Sequence, residues 1–228
     1  MKSIEDTSTF LLFMKECAKR VGQLLNLAAI AKACGIAANT AKAWLEVLEK
    51  GYMVYRLPPH PESFGKRVVK VPKLYFYDTG LLCYLLEIKE ANELDQHEAF
   101  KMIAENYLLN EIVKSFYHRG ESASSLYFWR DLRGKEVDCL IEHGGKLRAI
   151  DFQPFSTTEL EIDFRGMEHW QKLSKYSMFD SVIVYGGKAV NRQTNSSMVF
   201  SWQDALSVTN GILIRDLAKF YKDLKKKI

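Results

Sequence analysis

The sequence predicts a mixed α/β (α+β) chain of two parts. Residues 1–86 are expected to form a winged helix-turn-helix, and residues 98–228 a mixed sheet flanked by helices. Three observations predict this. Two short helical stretches flank Gly35 at the spacing of a helix-turn-helix. The acidic stretch Glu87–Glu98 differs in composition from both of its flanks. Beyond it, apolar periodicities switch between helix and strand in the order α-β-β-β-α-β-β-α.

In the first part, residues 8–20 read as a helix with Phe10, Phe13, Met14 and Cys17 on one face. Leu27–Cys34 reads as a second helix that Gly35 stops, and Ala38–Lys50 as a third that Gly51 stops. Ala31 is small where the helices cross, Gly35 suits the positive φ of the turn, and Ile36, Ala41, Trp44 and Leu45 fill the angle between them. A strand follows at Tyr52–Leu57, then a proline-rich turn at 58–63, with Val68–Val71 as the expected return strand. Lys73–Tyr77 continues extended, and Asp78 is placed to cap a short helix, Thr79–Leu86.

In the second part, Phe100–Tyr117 is a long helix with Ile103, Tyr107, Leu108, Ile112 and Phe116 at helical spacing. Strands are expected at Ser125–Trp129, Glu136–Ile141 and Leu147–Phe152, the last two joined by a tight Gly144-Gly145 turn. A helix near Phe164–Tyr176, strands at Ser181–Tyr185 and Ser197–Ser201, and a final helix from Trp202 complete the order.

Composition is that of an ordinary globular chain: 228 residues, 47% hydrophobic and 26% charged. No apolar run is long enough to span a bilayer, no secretory leader is recognisable, and the expected location is the cytoplasm, with no membrane partner. Four isolated cysteines and five scattered histidines lack zinc-site spacing, so the cysteines are expected as buried, reduced thiols. The net charge of +4 is compatible with nucleic acid as a partner.

Two groups of residues carry chemistry. In a DNA-binding helix-turn-helix, the start of the second helix enters the major groove. Here that presents Asn39, Thr40 and Lys42, while Lys66, Arg67 and Lys70 on the wing would neutralise phosphates of duplex DNA. The same module also serves for protein docking, and its exposed helix face is poor in arginine. The second group is acidic. Asp138 lies on one strand, Asp151 on the next, and alternation sets Gln153 on the same face as Asp151. The short hairpin is expected to bring Asp138 beside Asp151, and Glu105 to complete an acidic cluster. Such carboxylates hold Mg2+ through hard oxygen ligands, and the metal activates water against a phosphodiester.

The pattern Asp138, hairpin, Asp151-Phe152-Gln153 resembles the PD-(D/E)xK nuclease superfamily, with glutamine in place of the lysine. Around it, Lys73-Leu74-Tyr75-Phe76-Tyr77-Asp78-Thr79-Gly80-Leu81-Leu82, Ala104-Glu105-Asn106-Tyr107, and Tyr127-Phe128-Trp129-Arg130 before Glu136-Val137-Asp138 resemble one family. It is the domain of unknown function found C-terminal to the ATPase module of many prokaryotic AAA-family proteins, and the likeness runs from about Leu11 to about Tyr185. The resemblance implies a restriction-endonuclease-like second domain and an ATPase module as N-terminal partner. These residues hold no GxxxxGK[ST] loop, since Gly65-Lys66 lacks both the upstream glycine and the following Ser or Thr; the chain reads as a fragment or truncated relative. No cofactor is expected unless a complete nuclease-like site holds Mg2+. Three readings follow: a non-catalytic module that binds nucleic acid or protein, a Mg2+-dependent DNA nuclease, and a structural oligomerisation or docking domain. The oligomeric state stays open.

Overall fold

The computed structural model describes residues 6–62, 64, 67–143, 146–155, 158, 161–175, 180–187, 192–193 and 197–202. The Gly144-Gly145 turn, Lys66 and the helix expected beyond Trp202 lie outside the described residues. The chain divides into two compact units, Met1–Leu57 with Val71–Tyr107, and Pro58–Lys70 with Leu108–Ile228.

The first unit begins with helix α1 (Thr7–Ala18), whose N-terminus is capped by the Asp6 carboxylate accepting from Thr9 N at 3.0 Å. Helix α2 (Leu27–Ala33) is capped in the same way by Asn26, and Gly35 then turns the chain at φ 66°, a conformation other residues adopt at a cost. Helix α3 (Ala38–Lys50) buries Ala41, Leu45 and Leu48, a stripe at i, i+4 and i+7. Trp44 from α3 meets Phe10 and Phe13 of α1 edge-on, at 5.3 and 5.6 Å between ring centroids. Strands β1 (Val54–Leu57) and β2 (Lys73–Phe76) pair antiparallel from Val54↔Phe76 to Leu57↔Lys73. On the other side of β2, Leu24 bridges Lys73, and Gly22 N donates to Leu74 O at 2.8 Å. β2 is therefore the middle line of a three-line ribbon. Helices α4 (Thr79–Leu85), capped by Asp78, and α5 (Ala91–Leu94) follow. The acidic stretch 87–98 lies within this unit and carries α5, closed by a reciprocal Glu90–Glu93 capping box.

The return strand differs from expectation. It is Lys73–Phe76, not Val68–Val71. Residues 58–70 belong to the second unit, where they run along β3 (Leu126–Arg130). Pro59 bridges Phe128 in parallel, Val68 bridges Asp131 antiparallel, and Val69 N donates to Arg130 O at 3.0 Å. The physical reason is the unpaired ladder of an edge strand, which this segment covers.

Helix α6 (Phe100–His118) contributes residues to both units, the division falling after Tyr107. In the second unit, β3, β4 (Glu136–His143), β5 (Lys146–Gln153), β6 (Ser181–Tyr185), β7 (Arg192–Gln193) and β8 (Met198–Ser201) form one sheet in the order β3-β4-β5-β6-β8-β7. The β3–β4–β5 side is antiparallel, whereas β5, β6 and β8 run parallel. A parallel neighbour demands a crossover, and helix α7 (Arg165–Ser174) provides it between β5 and β6. β6 is buried at every residue, as a central parallel strand must be. Met167 and Trp170 of α7 seal a core with Trp129, Val137, Leu140, Leu147 and Ala149. Each aliphatic side chain so buried contributes ~1.5–3 kcal/mol. Cys17, Cys34 and Cys139 are buried free thiols and Cys83 is half-buried; burial pushes the Cys17 thiol up to about 12. No described helix is long and apolar enough to cross a membrane.

Where β6 ends, its chain passes so close to the turn after β5 that a Cβ on Gly186 would lie 2.0 Å from Pro154 O. Backbone cannot yield as a flexible side chain does. Gly186→Ala is expected to lower stability by ~1–3 kcal/mol or more, read as a reduced urea midpoint without a change in the slope of the transition.

Candidate functional site

The candidate acids stand on β4 and β5, and the sheet treats the first of them unusually. Tyr127 of β3 faces Leu140 of β4, yet Trp129 faces Val137. One residue, Phe128, therefore opposes two, Asp138 and Cys139, which is a β-bulge in β4. The bulge explains why Val137 and Leu140, three residues apart, share one core cluster, which strict alternation forbids. Bulges re-aim side chains, and this one sits at Asp138. The β4–β5 ladder runs from His143↔Lys146 to Cys139↔Ile150, and the next residues along are Asp138 and Asp151. There the Asp138 carboxylate, only 7% exposed, accepts directly from Phe152 N at 2.8 Å. A side-chain oxygen thus takes an amide of the neighbouring strand, in a charge-assisted bond stronger than a neutral one.

Asp151 and Gln153 are half-buried and pair with Ile183 and Tyr185 of β6. The two side chains meet: Gln153 Nε2 donates to Asp151 Oδ2 at 2.7 Å. The same nitrogen donates to Asp163 O at 2.7 Å, and Asp163 N donates to Gln153 Oε1 at 2.8 Å. The side-chain amide therefore imitates a backbone strand partner for Asp163, with both of its N–H donors in use. Asp163 is in turn gripped by Arg165, whose guanidinium and backbone N–H donate to its carboxylate and hold its pKa down at about 2. A lysine at 153 has donors but no acceptor, so it cannot take the Asp163 amide. The residue that departs from the nuclease motif is a strut between β5 and the segment leading into α7.

Glu105, expected to complete the acidic cluster, is committed elsewhere. It lies in the first unit, 1% exposed, and accepts from Lys73 Nζ at 3.0 Å and from Tyr75 OH. Its neighbour Asn106 accepts from Phe76 N at 2.8 Å and donates to Thr79 Oγ1 at 3.3 Å. The partners were legible as two motifs, Lys73-Leu74-Tyr75-Phe76 and Glu105-Asn106, but their union was not. Among the described residues, no three His, Cys, Asp or Glu side chains converge as metal ligands would. Asp138 and Asp151, the candidate metal ligands, each have one oxygen that accepts from a nitrogen donor, Phe152 N and Gln153 Nε2.

The nucleic-acid candidates separate. Asn39 and Lys42 are exposed and Thr40 half-buried in the first turns of α3, where the preceding Ala37 makes no side-chain cap. Arg67 and Lys70 are exposed, but they sit with the second unit, and Arg67 O accepts from Leu132 N at 3.2 Å. Asp163, Arg133 and Lys135 had no motif to announce them.

Residues 1–92 match the model of a domain of unknown function (DUF8612), and residues 100–204 that of a second domain of unknown function (DUF4143). The chain is similar to the uncharacterized protein Mb2031c of Mycobacterium bovis and the uncharacterized protein Rv2008c of Mycobacterium tuberculosis. Each is 28% identical over 144 residues, covering 63% of this chain and 32% of the relative. The stretch that matches thus spans about a third of the length of these curated relatives. No solved structure matches.

Two stability predictions follow from the polar networks. Glu105→Ala removes the carboxylate that faces the buried Lys73 ammonium and is expected to cost ~3–5 kcal/mol; the double variant Glu105→Leu/Lys73→Met should recover much of that loss in the same urea titration. Gln153→Lys breaks the reciprocal bonds to Asp163 and should cost ~1–3 kcal/mol, whereas Gln153→Glu should cost less at low pH, where the protonated acid again offers both a donor and an acceptor.

Proposed function

We propose that this chain is a non-catalytic nucleic-acid-binding region of a AAA-family ATP-binding protein, with a winged helix as its first unit and a degenerate PD-(D/E)xK nuclease-like domain as its second. The order helix, ribbon line, helix, helix, strand, strand in the first unit supports the winged helix. The β3–β4–β5 antiparallel strands followed by the α7 crossover, with Asp138 and Asp151 on adjacent strands, support the nuclease-like reading. The ATPase module is inferred from the family resemblance alone, and duplex DNA is the ligand this reading takes.

Gln153 carries the argument against catalysis. In the motif this position supplies an ammonium to the reacting phosphate. Here a neutral amide fills it and spends its donors on Asp151 and Asp163. Losing one such electrostatic contact costs ~3 kcal/mol of transition-state stabilisation, about a hundredfold in rate. Glu105 supplies no third acid, because it neutralises Lys73.

The test is supercoiled plasmid incubated with the wild-type chain and either Mg2+ or Mn2+. The plasmid should stay intact while the chain retains duplex DNA on a low-salt gel. Robust cutting by the wild type that disappears in Asp138→Ala would overturn the non-catalytic reading in favour of a Mg2+-dependent nuclease.

A further inference from the structure

Four exposed cations stand on two backbone segments that are hydrogen bonded to one another. Arg67 and Lys70 belong to the segment that covers the edge of β3, and Arg133 and Lys135 to the turn between β3 and β4. Val69 N donates to Arg130 O, Leu132 N donates to Arg67 O, and Val68 bridges Asp131, so the two segments form one continuous edge of the second unit. Among the described residues, none of the four cations takes part in an ion pair.

The carboxylates around this edge are already engaged. Asp131, 4% exposed, accepts from Arg133 N at 2.8 Å and Lys135 N at 2.9 Å, and its other oxygen lies 3.5 Å from His169 Nε2. Glu136 pairs with Arg130 at 3.0 Å, and Asp163 with Arg165 at 2.7 Å. Lys135 is near enough to Asp163 to help lower its pKa, which sets the basic turn towards the Gln153 end of the sheet. Glu62 is the remaining exposed acid of the covering segment, and its N–H donates to His60 Nδ1.

The turn is also preorganised. Asp131 N donates to Lys135 O at 2.9 Å, Gly134 N donates to Asp131 O at 3.1 Å, and Gly134 supplies the positive φ of 85° that the loop needs. Cations on a fixed backbone lose less freedom on meeting a partner than cations on a loose tail. Acidic residues outnumber basic ones by one in the first unit, so the chain's basic excess lies in the second, partly in its C-terminal stretch beyond Trp202.

We propose that this edge, Arg67 and Lys70 with Arg133 and Lys135, is the principal surface on which the chain holds the phosphate backbone of duplex DNA. The inference rests on the nucleic-acid reading above and moves its main contact from the helix-turn-helix to the sheet of the second unit. Cations on hydrogen-bonded backbone suit a phosphate backbone, whereas binding to an anionic bilayer relies on an amphipathic helix or a flexible polybasic segment. Lys42 on α3 stands one turn from Glu46, and that face offers little net attraction.

The experiment is fluorescence anisotropy of a labelled random-sequence duplex with the full chain across a salt series. Four proteins are compared: wild type, Arg67→Ala/Lys70→Ala, Arg133→Ala/Lys135→Ala, and the control Lys32→Ala/Lys42→Ala. Circular dichroism and urea midpoints establish that each is folded. Each edge pair should lower affinity about tenfold at low salt and flatten the slope of log K against log salt by about two, near one for each cation removed. The Lys32→Ala/Lys42→Ala protein should lose clearly less affinity than either edge pair. Binding that survives both edge pairs but is lost in the control would overturn this inference and leave the nucleic-acid reading standing. No binding by the wild type would sink both. Tighter retention on phosphatidylserine vesicles than on the duplex, with the same dependence on the edge residues, would assign the surface to a membrane and overturn it as well.

Discussion

The buried pair of Lys73 and Glu105 is the constraint on which the first unit depends. Both side chains are about 2% exposed and 3.0 Å apart. Neither charge is tolerable alone in that setting, so β2 and α6 must come together in one register. Tyr75 adds a hydroxyl to the same carboxylate, and Asn106 continues the join by taking the amide of Phe76 and reaching Thr79. Strand β2, helix α4 and helix α6 are thus tied by four polar contacts within a few residues of chain on each side. Gly22 suits this join because its φ is 70°, and a Cβ there would also press on Met102 Sδ at 3.0 Å. A hydrophobic contact of the same size would hold the pieces but not fix their register, since dispersion has no direction and a charged hydrogen bond has.

The second unit is organised around a different device, the interruption of a ladder. The bulge at Asp138-Cys139 lets β4 keep Val137 and Leu140 in one core while turning a carboxylate onto Phe152 N. In the same neighbourhood Gln153 stitches β5 to Asp163. Asp138, Asp151 and Gln153 thus all take part in hydrogen bonds that hold the scaffold together.

Edge protection links fold to surface. An uncovered β3 would present free backbone donors and acceptors, and residues 58–70 satisfy part of that row. The covering segment brings its own cations, Arg67 and Lys70, to the turn that bears Arg133 and Lys135. His60 on this segment is anchored beneath it, between Phe64 and Tyr127, with Nε2 3.2 Å from Glu142 Oε1. Nδ1 accepts from Glu62 N, which leaves Nε2 to meet the carboxylate.

Local signals in the sequence determined a great deal. The helix cap at Asp78, the turn at Gly35, the apolar stripe of α3 and the strand at Ser181–Tyr185 all depend on residues within one or two turns of each other, so pattern alone finds them. The same holds for Asp138 and Asp151 on adjoining strands, since a short hairpin leaves no other partner. Only the tertiary structure decided which strand returns to β1, because Val68–Val71 and Lys73–Phe76 both carry strand-forming residues and the choice rests on what each meets far along the chain. It alone decided that Glu105 answers Lys73 and Tyr75, since a carboxylate's partner is set by burial and not by sequence distance. It also decided that Gln153 clamps Asp163, ten residues away across a loop that no periodicity marks. Contacts closed by long loops leave no period in the sequence, and those are the contacts on which the candidate site turns.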